Sequence, residues 1–343
     1  MNNYFMGQDG FSWFIGVIED RNDPKKAGRV RVRCLGYHNA DIQEIPMEDL
    51  PWASVMMPVT AGANSGIGMS PHFLIEGTWV VGFFRDPAKQ EPVIMGALPG
   101  VNSSTTTNFT IASSSVVGGD SQGGGFKDPN AKYPTDLYLD IADTNLLAQE
   151  SASTHPSRSI KDAKDSWSTA SGSAEQPATT QSSAKYPTNH VFETESGHYV
   201  EFDDTEGNER IHLYHKMGTF IEIDKSGNVI IKTVGNVTNI VAGNMDTYVK
   251  GNYSVSAGGN IDVYAGKNLT ELVDGNRETT IKGTETLEIT KEVKNTFKDK
   301  LTEEVTMDVK QDYKVNLTTT IGALGSIKAS AAMVVGGSSI SFN

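Results

Sequence analysis

Residues 229 to 333 carry two superposed periods, and together these restrict the fold more than any other feature of the chain. Gly235, Gly243, Gly251, Gly259, Gly275 and Gly283 lie on a strict eight-residue spacing, with Lys267 in the one missing slot. Asn236, Asn244, Asn252, Asn260, Asn268 and Asn276 follow at the same interval. A fixed short period marks a repeat architecture. Beneath it runs a period of two: between 229 and 333, odd positions are apolar at 32 of 53 and even positions at 9 of 52. Such alternation gives an extended chain one dry face and one wet face.

The Gly-Asn steps invite a reading as tight hairpins, but parity opposes it. The residues flanking a two-residue hairpin loop share a face although they are three apart, so each reversal would move the apolar set between odd and even positions. It stays odd through Val241, Met245, Val249, Tyr253, Ile261, Val273 and Ile281, and on to Val305, Val309, Val315 and Ile321. The glycines therefore mark structural bends, where a missing Cβ relieves crowding or permits unusual dihedrals. The chain keeps winding in one direction, and such a ribbon leaves its own backbone groups unpaired. It either stacks on itself as a single-chain solenoid or winds with other copies around one axis, and the second arrangement is favoured. Odd positions are charged at Lys267, Glu271, Arg277, Glu285, Lys291, Asp299 and Glu303. These side chains sit at corners and snorkel outward, or they pair between chains. Loss of the regular glycines after Gly283 predicts a change in winding or cross-section there.

Composition narrows the function classes. At 343 residues the chain has room for two or three domains. A net charge of −13 disfavours a nucleic-acid binder or a protein that adheres to anionic membranes. The N-terminal stretch lacks the basic and apolar regions of a signal peptide, and no run of eighteen apolar residues occurs. The lone Cys34 permits no internal disulfide or thiolate metal cluster and reads as a core residue.

Residues 11 to 100 read as a compact all-β unit. Strands are predicted at Phe14 to Glu19, Val30 to Leu35, Trp52 to Met57, Thr78 to Phe84 and Val93 to Leu98. Five short strands in this length suit an OB-fold barrel, which removes sheet edges by closing. Several segments carry a specific resemblance: WFIGVIEDRNDPKKAGRVRVRCLGYH (13 to 38), LPWASVMMPVT (50 to 60), SGIG (65 to 68) and EGTWVVGFF (76 to 84). They look like the N-terminal OB domain of the central spike of T-even-type contractile phages, shared more loosely with VgrG spikes of secretion systems. FKDPNAKYPTDLYLDIADTNLLAQ (126 to 149) resembles the segment that follows in those spikes. YPTNHVFETESGHYVEFDDTEGNERIHLYHKMGTFIEID (186 to 224) resembles the opening of their C-terminal needle, and the octads after it fit the family's VxGxxxxx repeat.

The resemblance implies an all-β chain in three parts: an OB-fold hub-docking domain at 1–100, a linker at 101–188, and an intertwined trimeric β-helix needle at 189–343. It also implies a homotrimer in the tail baseplate of a virion, held by a hub ring protein, that meets the host outer membrane mechanically. The best-known such spike carries a lysozyme domain between barrel and needle. Here the corresponding stretch is Glu150 to Lys185, mostly Ser, Thr and Ala. It is too short and polar to bury the paired carboxylates of glycoside hydrolysis. Glu150, Asp162, Asp165 and Glu175 read as solvated linker charges, and lysozyme activity does not carry over. Residues 101 to 125 form a second linker, whose Gly123 to Gly125 have no strand–turn–helix context for phosphate binding.

His190, His198, His212 and His215 cluster in sequence, and some related spike tips bind metal through histidines. His212 and His215 are three apart and point to opposite faces of a regular strand, so no metal or other cofactor is assigned. The chain's end gathers Val334, Val335, Ile340 and Phe342 around a double glycine. By resemblance, this apolar end is the docking platform for a PAAR-like tip protein. Two other readings stay open: a hidden glycan-cleaving enzyme, and a carbohydrate-binding tail fibre using Tyr248 and Tyr264. A VgrG-type origin is the alternative to a phage one.

Overall fold

In a computed structural model, residues 12–39, 41–69, 72–100, 144–149, 165–177 and 184–337 are described. Their regular structure is β, apart from one 3₁₀ turn at Met47–Asp49. The chain divides into two units, Met1–Asp262 and Val263–Asn343.

The first element of the larger unit is a closed five-stranded barrel. Its strands are β1 (Ser12–Asp20), β2 (Val30–Cys34), β3 (Trp52–Val55), β4 (Trp79–Phe84) and β5 (Pro92–Ala97), ordered β1-β2-β3-β5-β4. All neighbours are antiparallel except β3 and β5, which run parallel. This is the closure of an OB-fold. Alternate residues turn inward, and Phe14, Ile18, Val30, Val32, Cys34, Ala53, Val80, Phe84 and Ile94 form the core. Gly82 is required by a close approach: a Cβ there would lie 2.6 Å from Phe14 Cζ and closer still to the Val93 carbonyl. One ion pair is enclosed on the barrel. Arg33 and Glu19 are both fully buried, with Nη2 donating to Oε2 at 3.0 Å. Arg33 also donates to the carbonyls of Asn39 (2.6 Å) and Ile45 (2.9 Å), tying the loop after β2 to the wall.

Within the stretch read as a linker, the chain forms a two-stranded hairpin, β6 (Ser166–Thr169) and β7 (Gly172–Glu175). It is moored to the next sheet by Lys232, whose Nζ lies 3.0 Å from both Asp165 Oδ2 and Gln176 Oε1. Residues 189–232, grouped by sequence with the winding segment, instead pair within the chain. They form an antiparallel meander of β8 (Asn189–Glu193), β9 (Tyr199–Asp203), β10 (Arg210–Tyr214), β11 (Phe220–Ile223) and β12 (Val229–Lys232). Short turns reverse the chain, with left-handed glycines at Gly197, Gly207, Gly218 and Gly227. The barrel and the meander touch through Arg21, which forks onto Glu195 at 2.6 and 2.8 Å while its Nε lies 3.3 Å from buried Glu76.

From 233 to 337 no residue belongs to a strand or bridge within the chain. The backbone bends at 234–235 and at every eighth residue thereafter, through 330–331. The bend spacing does not change after Gly283: the same bends continue where Lys291, Asp299, Met307, Val315, Ala323 and Ala331 occupy the glycine slot. The physical reason lies in the dihedrals. None of the six ribbon glycines has positive φ, and a Cβ built on any of them meets nothing within 4 Å. Within one chain, these bends are open to any L-residue.

Candidate functional site

The meander is inverted relative to an ordinary half-buried sheet. Its covered face is polar and aromatic. Asn189, Tyr199, Glu201, Asp203, Arg210, His212, Tyr214, Phe220 and Glu222 all point to it and are buried. The register explains how these charges are accommodated. Arg210 stands opposite Asp203, and His212 stands between Glu201 and Glu222 on the flanking strands. Arg210 Nη2 donates to Glu201 Oε1 at 2.6 Å, its Nε lies 3.6 Å from Asp203 Oδ2, and its Nη1 lies 3.5 Å from Glu222 Oε2. Asn189 Nδ2 donates to the same Glu201 oxygen at 2.9 Å and to the Leu147 carbonyl at 3.0 Å. His212 Nδ1 lies 2.9 Å from Glu222 Oε2, and its ring stacks on Tyr199 and Tyr214 and lies tilted against Phe220.

Paired carboxylates beside a histidine are the raw material of acid–base catalysis, which also needs access for a substrate. The side chains of Arg210, Glu201, Asp203, Glu222 and His212 are each at most 1% exposed. The cluster works as an internal clamp: one guanidinium on β10 holds three carboxylates from the two flanking strands, and opposite charges in register fix the strand pairing.

The outer face is the apolar one. Phe192, Phe202, Ile211, Leu213, Ile221, Ile223, Val229 and Ile231 are all exposed there. Registry sets them in two rows. Phe192, Val200, Leu213, Ile221 and Ile231 form one, and Phe202, Ile211, Ile223 and Val229 form the other.

The ribbon repeats this exposure. From Val241 to Ala329 the residue immediately before each bend is apolar at every octad. Val249 is the most covered large apolar side chain of the segment, and it is still 43% exposed. Gly235, Gly243, Gly251, Gly259, Gly275 and Gly283 each occupy the second position of a bend. Of the charged odd positions, Arg277 and Glu271 lie together within one chain, Nε to Oε1 at 3.3 Å. At the chain's end Val334 and Val335 are exposed, whereas Ile340 and Phe342 lie outside the described residues.

The histidines do not converge. His212 is enclosed while His215 is exposed and packs against His198 with ring centroids 4.4 Å apart and planes tilted by 48°. His190 approaches Asp204 at 3.9 Å. Among the described residues no three metal-ligating side chains come together. The buried clamp escaped sequence reasoning, although its signal was present. Glu-x-Asp, Arg-x-His-x-Tyr and Phe-x-Glu sit on successive segments with complementary charges at alternate positions.

Comparison with known proteins agrees with this construction. Residues 36–188 match the Gp5 N-terminal OB domain family. Protein Gp5 of Vibrio phage KVP40 is 40% identical over 265 residues, which are 68% of this chain and 60% of that protein. The pre-baseplate central spike protein Gp5 of Enterobacteria phage T4 is 39% identical over 149 residues, 42% of this chain and 23% of that protein. The chain thus spans about three fifths of the length of one relative and under a quarter of the other. With an OB barrel at its head and matches that reach well beyond it, the chain is similar to the T4-like Gp5 spike proteins.

Proposed function

We propose that the chain is the structural, cell-puncturing spike of a contractile phage tail baseplate, acting as a homotrimer. The observation that carries this reading is the ribbon. Residues 233 to 337 hold no backbone pairing within one chain and leave their apolar side chains in solvent. Both deficits are met if three copies wind around one axis, each pairing its backbone and burying its odd face against the other two. A prism of interwound chains unfolds slowly, which suits an element that transmits force.

In this reading the barrel attaches the spike to a hub ring protein, and the needle crosses the host outer membrane. Val334, Val335, Ile340 and Phe342 seat a PAAR-like tip protein. No catalytic step is assigned: the buried carboxylates are committed to Arg210, and the sequence from 150 to 185 is too short and polar to bury a carboxylate pair.

Light scattering on the purified chain tests the reading. Three times the chain mass of 37.0 kDa supports it, and a single-chain mass overturns it. A muralytic assay on the same sample separates spike from enzyme, since clearing of peptidoglycan would refute the non-enzymatic assignment. For the tip, deleting residues 336 to 343 should preserve the trimer and abolish co-purification of the tip protein; retention at full stoichiometry would place the platform elsewhere.

A further inference from the structure

We propose that the outer face of the β8–β12 meander is a self-association surface that sets the register of the ribbon, and that its occupant is the same face of two further copies of this chain. The proposal rests on the trimeric reading above and assigns a surface and a task within it.

The first observation is the inversion itself. A sheet packed by its dry face would bury Leu213 and Ile221 and leave Arg210 and Glu201 in water. Here the charges are enclosed and the apolar rows stand outside. The eight large apolar side chains on that face expose on the order of 700 Å², above the roughly 300–600 Å² that the largest patch of a monomer reaches and near the ~800 Å² per partner of a standard interface.

The second observation concerns the occupant. The two rows carry no charged residue; the polar groups bordering them include His190 and the exposed Asp204, 3.9 Å apart. The face is thus suited to an apolar, uncharged surface such as itself. It is also continuous with the ribbon. In β12 the outward residues are Val229 and Ile231, and the odd set they begin runs on without a change of parity. Whatever covers the odd side of the ribbon must arrive on the odd side of β12 as well. If sister chains cover the ribbon, sister chains cover the meander.

The third observation is that the ribbon cannot specify its own register. Its bends repeat every eight residues, and from Val241 to Ala329 the position before each bend is apolar. One copy displaced by a whole octad against another would therefore still bring apolar residues to the axis and bends beside bends. The meander has no such repeat. Its strands are fixed within each chain by the Arg210 clamp and by the turns between them, so the face it presents is unique along the chain. Three such faces meeting fix the axial position of the chains before any octad pairs.

Cross-linking tests the inference on the full chain. Cys34 is buried, and burial pushes its thiol well above the usual range, so an introduced cysteine is the reactive one. Leu213→Cys lies mid-face on the central strand; Glu206→Cys, in the turn after β9, serves as control. With a short bismaleimide at low protein concentration, Leu213→Cys should give covalent dimer from the intact assembly and Glu206→Cys should not. A second arm deletes residues 251–258, one octad. The shortened chain should keep the assembly and the Leu213→Cys cross-link, because the register is set upstream. Wild-type chain with a monomer mass would refute the trimeric reading itself. A wild-type trimer in which Leu213→Cys stays uncross-linked would leave that reading intact and overturn this one. A deletion variant that cross-links but forms mixed assemblies would remove the register-setting role.

Discussion

Alanine at Gly243, Gly251 and Gly259 should be tolerated by the ribbon and should raise its resistance to heat. Sequence alone points the other way, since regularly spaced glycines suggest bends that only glycine can make. The structure removes that reason. None of the three has positive φ, and a Cβ on each finds open space within its own chain. The equivalent bend at 314–315 is made with Val315 in the glycine slot, and that at 306–307 with Met307. Where the backbone suits alanine, replacing glycine reduces the freedom of the unfolded chain and adds about 0.4–1 kcal/mol per site, so three sites give roughly 1–3 kcal/mol per chain. Scanning calorimetry of the assembled protein, with SDS-gel mobility as a check on assembly, would read the change. A lower melting temperature or a failure to assemble would refute the reasoning, and would mean that sister chains press against the slot closely enough to exclude a methyl group.

Three further outcomes follow from the larger unit. Arg210→Met should destabilise the meander by about 3–5 kcal/mol, because it strips three enclosed carboxylates of their shared cation; denaturant unfolding followed by tyrosine fluorescence would measure it. Gly82→Ala should cost the barrel about 1–3 kcal/mol by driving a methyl into Phe14 and the Val93 carbonyl, and thermal melts would show it. Asp23 accepts hydrogen bonds from the backbone amides of Lys25 and Ala27 and from the Arg29 guanidinium, and the Arg29 bond foremost holds its carboxyl well below the usual range. A depressed carboxyl stabilises the fold above its unfolded pKa and loses that contribution as pH falls toward the folded value. The wild-type barrel should therefore lose stability below the ordinary carboxylate range, relative to Asp23→Asn. Parallel pH curves for the two proteins would contradict the assignment.

The barrel was legible because nothing in it departs from simple rules. Its strands alternate around Phe14, Ile18, Val32 and Ile94, and turn residues such as Asn22-Asp23-Pro24 and Asp86-Pro87 separate them. Strand bounds moved by no more than three residues, as at Trp52–Val55, where the strand stops short of Met57. The all-β class and the OB closure followed from that pattern. The enclosed Arg33–Glu19 pair did not, since a charged residue on a strand reads as solvent-facing until its partner across the sheet is known. The hairpin at 166–175 was equally hidden, because a Ser- and Ala-rich stretch gives no apolar period to find.

The meander shows where the dry-inside rule itself misleads. Applied to residues 189–232, the rule places Phe202, Ile211, Leu213 and Ile221 inside, and in one chain they are outside. One face of this sheet is enclosed with the chain's own polar clamp, and the other is exposed in a single chain. The rule also fails to separate the meander from the ribbon, because each alternates apolar with polar. What separates them is the turns: Gly197, Gly207, Gly218 and Gly227 reverse the meander with positive φ. The covered positions are odd on β8 and β9 and even on β10, β11 and β12, a shift that marks a reversal within the chain. From 229 onward the apolar positions stay odd. Parity by itself does not separate the two, because three of the four reversals in the meander keep it; positive-φ glycines at those reversals do, and none of the six ribbon glycines has positive φ. Residues 189–232 thus pair within one chain, and residues 233–337 hold no backbone pairing within it.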